Sequence, residues 1–154
     1  MAGNGGDIDY HNFDQMISSR SPTANDPYLT IKCDMPVNHF SLNRNQNLLL
    51  AAGDWPACKV YDVKNQMTLC ELQNGHQDHN HSTGWSACGN YMVTGGQDQC
   101  AIVWDIRWPL FFQVSKNFDR NPSNFVHLIP TENSAVASAQ FLGDLNNKLV
   151  IAER

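Results

Sequence analysis

Beyond about Pro27 the chain alternates apolar stretches of four to seven residues with clusters of Gly, Asn and Asp. The stretches are rich in β-branched and aromatic residues, which suit a pleated, half-buried surface, and the punctuating residues favour turns. No segment keeps apolar residues three and four apart for long enough to make an amphipathic helix. The pattern predicts an all-β fold, with strands near Val37–Leu42, Leu48–Gly53, Cys58–Val63 and Thr68–Gln73. A second set follows near Ser82–Ser86, Tyr91–Gly95, Ala101–Ile106 and Leu110–Val114. Residues 1–30, rich in Gly, Asn, Asp and Ser, show neither period and are expected to form a flexible N-terminal arm with no fold of its own.

The two sets of strands are copies. Moving Leu48–Val63 forward by 43 residues lays it on Tyr91–Ile106, so that Gly53 meets Gly96, Val60 meets Val103, and Tyr61-Asp62 meets Trp104-Asp105. Four short strands in 40–45 residues is the sequence signature of one propeller blade. The expected units are a blade at 31–73, a blade at 74–117 and an incomplete blade at 118–154 that begins near Ser134–Phe141 and Lys148–Ala152. That makes about two and a half blades of a seven- or eight-bladed ring.

The second unit resembles the WD-repeat propellers: Gly75-His76 opens it, Asp98 sits in its tight turn and Trp104-Asp105 closes it. The resemblance implies a buried hydrogen-bonded tetrad of His76, Thr94, Asp98 and Trp104. The chemistry suits those residue types, since an imidazole offers one donor and one acceptor, a carboxylate accepts, a hydroxyl does both and an indole N–H donates. The first unit departs from the pattern, with no GH pair before Val37, Trp55 in place of the turn Asp, and Tyr61-Asp62 in place of the WD pair. It is expected to rely on packing. The strings PVNHFSL, GHQDHNHSTGWSACGN and VTGGQDQCAIVWDIR also resemble one poorly characterised group of WD-repeat proteins, which implies a non-enzymatic scaffold without a defined ligand. Asn80 and Thr83 stand at strand positions that are apolar in that group, and Asn43-Arg44-Asn45-Gln46 replaces its usual turn.

Composition narrows the function. Ten Lys and Arg against 15 Asp and Glu give a net charge of −5 with no basic cluster, which disfavours nucleic acid as a partner. The longest apolar run, Leu48–Ala52, is far short of the ~20 residues of a membrane-spanning helix. No signal peptide is legible after Met1, and the five cysteines form no CxxC pair, so an intracellular chain, cytoplasmic or nuclear, with reduced thiols is expected. The 17 asparagines agree with many turns.

Several residues invite sharper readings. Asp78, His79 and His81, with His76 and Cys88 nearby, have metal-binding side chains but lack the usual ligand spacings, so an interface or a solvated strand end is expected there and no metal. Gly84–Cys88 has the look of a nucleophile elbow without its second glycine. No phosphate-binding loop is present, and no cofactor is implied. Asn80-His81-Ser82 is a glycosylation sequon by pattern alone. Trp55 and Trp108 each precede a proline in a connection, where a large aromatic either packs under its loop or serves as a binding hot spot. Arg107 completes a WDxR string similar to the box by which some WD-repeat proteins dock on the adaptor of a cullin–RING ubiquitin ligase, set against the plainer reading of a solvated strand end.

The expected function is a non-catalytic scaffold that binds other proteins through Asn74–His81, Asp54–Ala57 and Gln97–Gln99. A substrate receptor for the ligase through Arg107 is the alternative within that class, and an enzyme or metal site at His76–Cys88 the competing one. Because two and a half blades close no ring, the chain is further expected to self-associate on its own, with missing blades supplied by a continuation or by a partner.

Overall fold

The 43-residue spacing carries over directly into two matching antiparallel sheets in the computed structural model, which describes residues 6–18, 26–107, 125–132, 134–143 and 148–154. The chain enters through β1 (Ile8–Tyr10), the short α1 (Phe13–Ser18) and β2 (Leu29–Ile31). Blade one follows as β3 (Val37–Leu42), β4 (Leu48–Gly53), β5 (Trp55–Asp62) and β6 (Met67–Leu72), paired in chain order. Blade two consists of β7 (Asn80–Trp85), β8 (Tyr91–Gly96), β9 (Cys100–Asp105) and β10 (Phe125–Pro130). A third blade is begun by the antiparallel pair β11 (Val136–Phe141) and β12 (Leu149–Glu153). The first strands of the three blades, β3, β7 and β11, lie side by side, so the sheets fan out from a common inner wall as in a propeller.

The repeat is kept down to its turns. Asn43 closes the β3–β4 turn, its Oδ1 accepting from the Leu48 N–H at 3.1 Å, and Ser86, 43 residues on, closes the β7–β8 turn by accepting from the Tyr91 N–H at 2.9 Å. Both turns need a left-handed residue, Gln46 with φ 56° in the first and Gly89 with φ 73° in the second. The unusual Asn43–Gln46 sequence thus makes the same turn with a side-chain amide where blade two uses a hydroxyl.

Two expectations are corrected. Where it is described, the stretch expected to be an arm without a fold at 1–30 is ordered against blade one, because β1 pairs with β2 and buries Ile8 and Ile31 against Cys33, Leu49, Ala51 and Tyr61. Strands of three residues are too short to show a period, and their burial depends on a surface supplied by the blade. The segment expected as the fourth strand of blade two, Leu110–Val114, lies outside the described residues. Its place beside β9 belongs to β10, 58 residues after β6 begins, so blade two runs to Pro130 and not to 117. Lengthening a connection adds little entropy cost, so a repeat can tolerate an insertion there.

Three apolar layers hold the blades. Leu50, Cys58, Val60 and Leu72 of blade one meet Met92, Ile102 and Trp104 of blade two. Val93 and Ala101 on the reverse face of blade two meet Val136 and Ala139. The third layer joins β1 and β2 to blade one. Side chains also tie the inner strands across blades: Trp85 Nε1 donates to the Ser41 carbonyl at 3.1 Å, and Ser82 Oγ accepts from the Ala139 N–H at 2.7 Å.

Candidate functional site

Inside blade two, His76, Thr94, Asp98 and Trp104 form one chain of hydrogen bonds. His76 Nδ1 lies 2.9 and 3.0 Å from the two Asp98 carboxylate oxygens, and His76 Nε2 lies 2.7 Å from Thr94 Oγ1. Trp104 Nε1, which can only donate, gives its hydrogen to Thr94 Oγ1 at 2.8 Å. The Thr94 hydroxyl hydrogen then points to Nε2, which places the imidazole hydrogen on Nδ1, facing Asp98. Burial raises the pKa of Asp98, but the hydrogen bond and attraction of His76, with the backbone N–H groups of Gln77 and Cys100, outweigh it and hold the carboxyl below its ordinary value. Gly96 is required beside them: a Cβ there would stand 2.5 Å from Asp98 Oδ1 and 2.6 Å from His76 Nδ1.

An Asp–His–Thr chain has the connectivity of a hydrolytic triad, yet Thr94 is 0% exposed and its hydroxyl is capped by the Trp104 indole. No substrate can reach that oxygen, so the arrangement is a clamp. Asp98 sits in the β8–β9 turn and His76 precedes β7, so the clamp fixes two connections on one rim of the blade. Cys58 of blade one lies close by, its thiol pushed up by complete burial and further by the Asp98 charge.

Blade one shows what happens when the clamp is lost. The positions 43 residues before His76, Thr94 and Trp104 are Cys33, Ala51 and Tyr61, which pack together in an apolar cluster. Tyr61 is 1% exposed, with its hydroxyl facing the Cys33 thiol. Trp55, at the position of Asp98, has no imidazole to hold and turns outward to 59% exposure. Its backbone is held instead by Asn80, whose Nδ2 donates to the carbonyls of Trp55 at 2.8 Å and Pro56 at 3.0 Å. Asn80 is fully buried, which explains a polar residue at that strand position and removes it as a glycosylation acceptor. Thr83 is similarly accounted for: its N–H and hydroxyl both meet His39 Nδ1, at 3.2 and 2.9 Å.

The candidate interaction residues divide between two rims. Trp55, Asp78, His79 and His81 belong to the rim of the clamp, where the Gln97 N–H also donates to the His79 carbonyl at 2.7 Å. His79 lies 3.7 Å from Asp78, while His81 points to Gln97 Oε1 at 2.9 Å, so the two imidazoles do not converge. Cys88 lies in the turn at the other end of β7. Among the described residues no three His, Cys, Asp or Glu side chains form a metal-binding group. Ser86 of the elbow-like sequence is buried and spent on its turn.

Arg107 is on the opposite rim. It grips Asp105 in two places, at 2.9 and 2.7 Å, donates to the Tyr91 hydroxyl at 2.7 Å and lies 5.0 Å from the Tyr91 ring centre. That grip holds the Asp105 carboxyl below its usual range. Trp108 lies outside the described residues. Sequence reading placed Gln97 on the rim of the clamp through the Gln97–Gln99 connection but missed Asn38, and it missed Asp34, Lys59 and Glu71, which join Trp55 around a groove. The signal available for the groove was Lys59 at the position that Ile102 fills in blade two.

No family model matches this chain. It is 27% identical over 110 residues to the target of rapamycin complex subunit wat1 of Schizosaccharomyces pombe, covering 70% of this chain and 33% of that protein. It is 24% identical over 99 residues to the protein LST8 homolog of Dictyostelium discoideum, covering 63% of this chain and 32% of that protein. The chain thus spans about a third of the length of the curated relatives it matches. Among solved structures, the β-propeller domain of Cps50 (Swd1) from Myceliophteria thermophila aligns with a TM-score of 0.62 at 17% identity, over 76% of this chain and 32% of that one.

Proposed function

We propose that this chain, a partial WD-repeat propeller, is a non-catalytic scaffold that holds other proteins on the rim fixed by the His76–Asp98 clamp. The observation that carries this reading is the clamp itself, which ties the connection before β7 to the β8–β9 turn and leaves Asp78, His79 and Gln97 exposed on a rigid base. Recognition loops need a scaffold that positions them. Similarity to a subunit of the target of rapamycin complex supports membership of a multiprotein assembly. No disulfide joins the five cysteines, which suits a reducing compartment, cytoplasmic or nuclear. The inaccessible Thr94 hydroxyl speaks against the competing enzyme reading.

Affinity purification of the tagged chain with mass spectrometry tests the proposal. A defined set of partners is expected, and the joint replacement of Asp78 and His79 by Ala should remove at least one of them. Retention of every partner by that variant would sink the rim assignment.

A second reading, docking on a ubiquitin-ligase adaptor, has one observation in its favour: the Arg107 guanidinium is held in a fixed pose at the opposite rim, half exposed. It predicts co-purification with that adaptor, lost in Arg107→Ala.

A further inference from the structure

Blade one departs from the repeat at three places that lie together. Trp55 replaces the turn Asp, Lys59 replaces a buried Ile, and the loop carrying Asp34 and Met35 follows β2. With Glu71 of β6 these residues line a groove of about 260 Å³. Lys59 spans it from below, its Nζ 3.0 Å from Asp34 and 3.2 Å from Glu71, with only 12% of its side chain exposed. The Asp34 side chain is 81% exposed and Glu71 37%. Trp55 forms an open aromatic wall.

We propose that this groove receives an arginine side chain from an extended segment of a partner protein. The inference rests on the scaffold reading above and names the chemistry of one contact on the same rim. Two carboxylates around one ammonium leave the groove with one net negative charge, which an incoming guanidinium neutralises. An anion would double that charge, and Lys59, the cation among the described lining residues, is already gripped by two carboxylates. The indole face adds attraction for a planar cation, and Arg satisfies a face and a carboxylate edge together better than Lys does. Its size also fits, because pockets for drug-sized ligands begin at roughly 300 Å³. Asp54, exposed beside Trp55, and the overall charge of −5 favour approach of a basic segment. Trp55 keeps its place on the rim because Asn80 of blade two holds its carbonyl.

The test is fluorescence anisotropy of the 154-residue chain with a labelled six-residue arginine–glycine peptide and its citrulline counterpart, at ~0.15 M salt. Saturable binding of the arginine peptide is expected, with the citrulline peptide weaker by about tenfold. Trp55→Ala should weaken the arginine peptide by a similar factor, Trp55→Phe by less, and Asp34→Asn should lower affinity while flattening its salt dependence. Far-UV circular dichroism checks that the exposed substitutions leave the fold intact. Equal binding of the two peptides, unchanged binding by Trp55→Ala, or no saturable binding overturns the proposal. In the last case, partners lost only on changing Asp78 and His79 leave the scaffold reading standing, and partners lost with neither change overturn both.

Discussion

Asn38 and His81, 43 residues apart, occupy the same bulge at the start of the inner strand in successive blades and make the same contact with different chemistry. Asn38 Nδ2 donates to Asp54 Oδ1 at 2.8 Å, and His81 Nε2 meets Gln97 Oε1 at 2.9 Å, with Gln97 standing 43 residues after Asp54. In both pairings the register shifts there, between Val37 and His39 and between Asn80 and Ser82. An extra residue in one strand re-aims a side chain without ending the sheet. Here it turns a polar group toward the rim in each blade, so the repeat conserves a geometry and lets the residues vary. The Asn38 amide also reaches the Asn80 carbonyl of the next blade at 3.2 Å, coupling the two blades along this rim.

Replacing His76 or Asp98 by Ala leaves a partner in the clamp unsatisfied and should cost roughly 1–3 kcal/mol each. The double variant should cost less than the sum, because both changes break one network. Urea unfolding at low protein concentration measures this, and strict additivity or no loss would show that the four residues do not act as a unit.

Gly96→Ala should destabilise by a comparable amount, since its methyl group would enter the space of Asp98 Oδ1 and His76 Nδ1. In an Asp98→Ala background the same change should cost markedly less, because one of the two obstructing groups has gone. Equal cost in both backgrounds would place the strain elsewhere.

Two pH windows are expected. Asp98 has a folded pKa below its unfolded value of about 3.9, so its stabilisation is complete above that value and is lost as pH falls through the folded pKa. Asp62, Glu71 and Asp105 shift in the same direction and share that window. His39 behaves differently: burial lowers its pKa and its Nδ1 accepts from the Thr83 N–H, so the unfolded chain takes up a proton first. Stability should therefore already decline as pH drops below about 6.5. His39→Gln should flatten the upper window and Asp98→Asn the lower one, read from urea midpoints across pH. A variant that flattens the wrong window would contradict these assignments.

Among the described residues β12 is paired on one side only, by β11, and Val150 on it is 51% exposed. An open strand with apolar side chains pairs readily with another chain. The 154-residue chain should therefore sediment as species larger than a monomer, and Val150→Lys should shift the distribution toward monomer. A monomer at every concentration would rule out the edge as an adhesive surface.

The residues of the clamp were legible through the resemblance to WD-repeat propellers, which the GH pair, turn Asp and strand-ending Trp of the second unit carry, and strand alternation sends Thr94 and Trp104 to one face. The first three strands of blades one and two were legible because strand alternation is itself local. β10 was not, because an insertion after β9 breaks the spacing and only the open edge of β9 selects the segment that pairs there. Nor was the burial of Ile8 and Ile31, which depends on a face of blade one that no local pattern announces. The pairings of Asn80 with Trp55, Thr83 with His39 and Ser82 with Ala139 join residues 25, 44 and 57 positions apart, each with a different chemistry. The sequence by itself determined the repeat and the strand alternation, both set by short-range stereochemistry, and its resemblance to WD-repeat propellers named the residues of the clamp. The tertiary structure decided which faces meet, which polar groups are buried in pairs and that Trp55 stands outside, since those follow from packing whole sheets against one another.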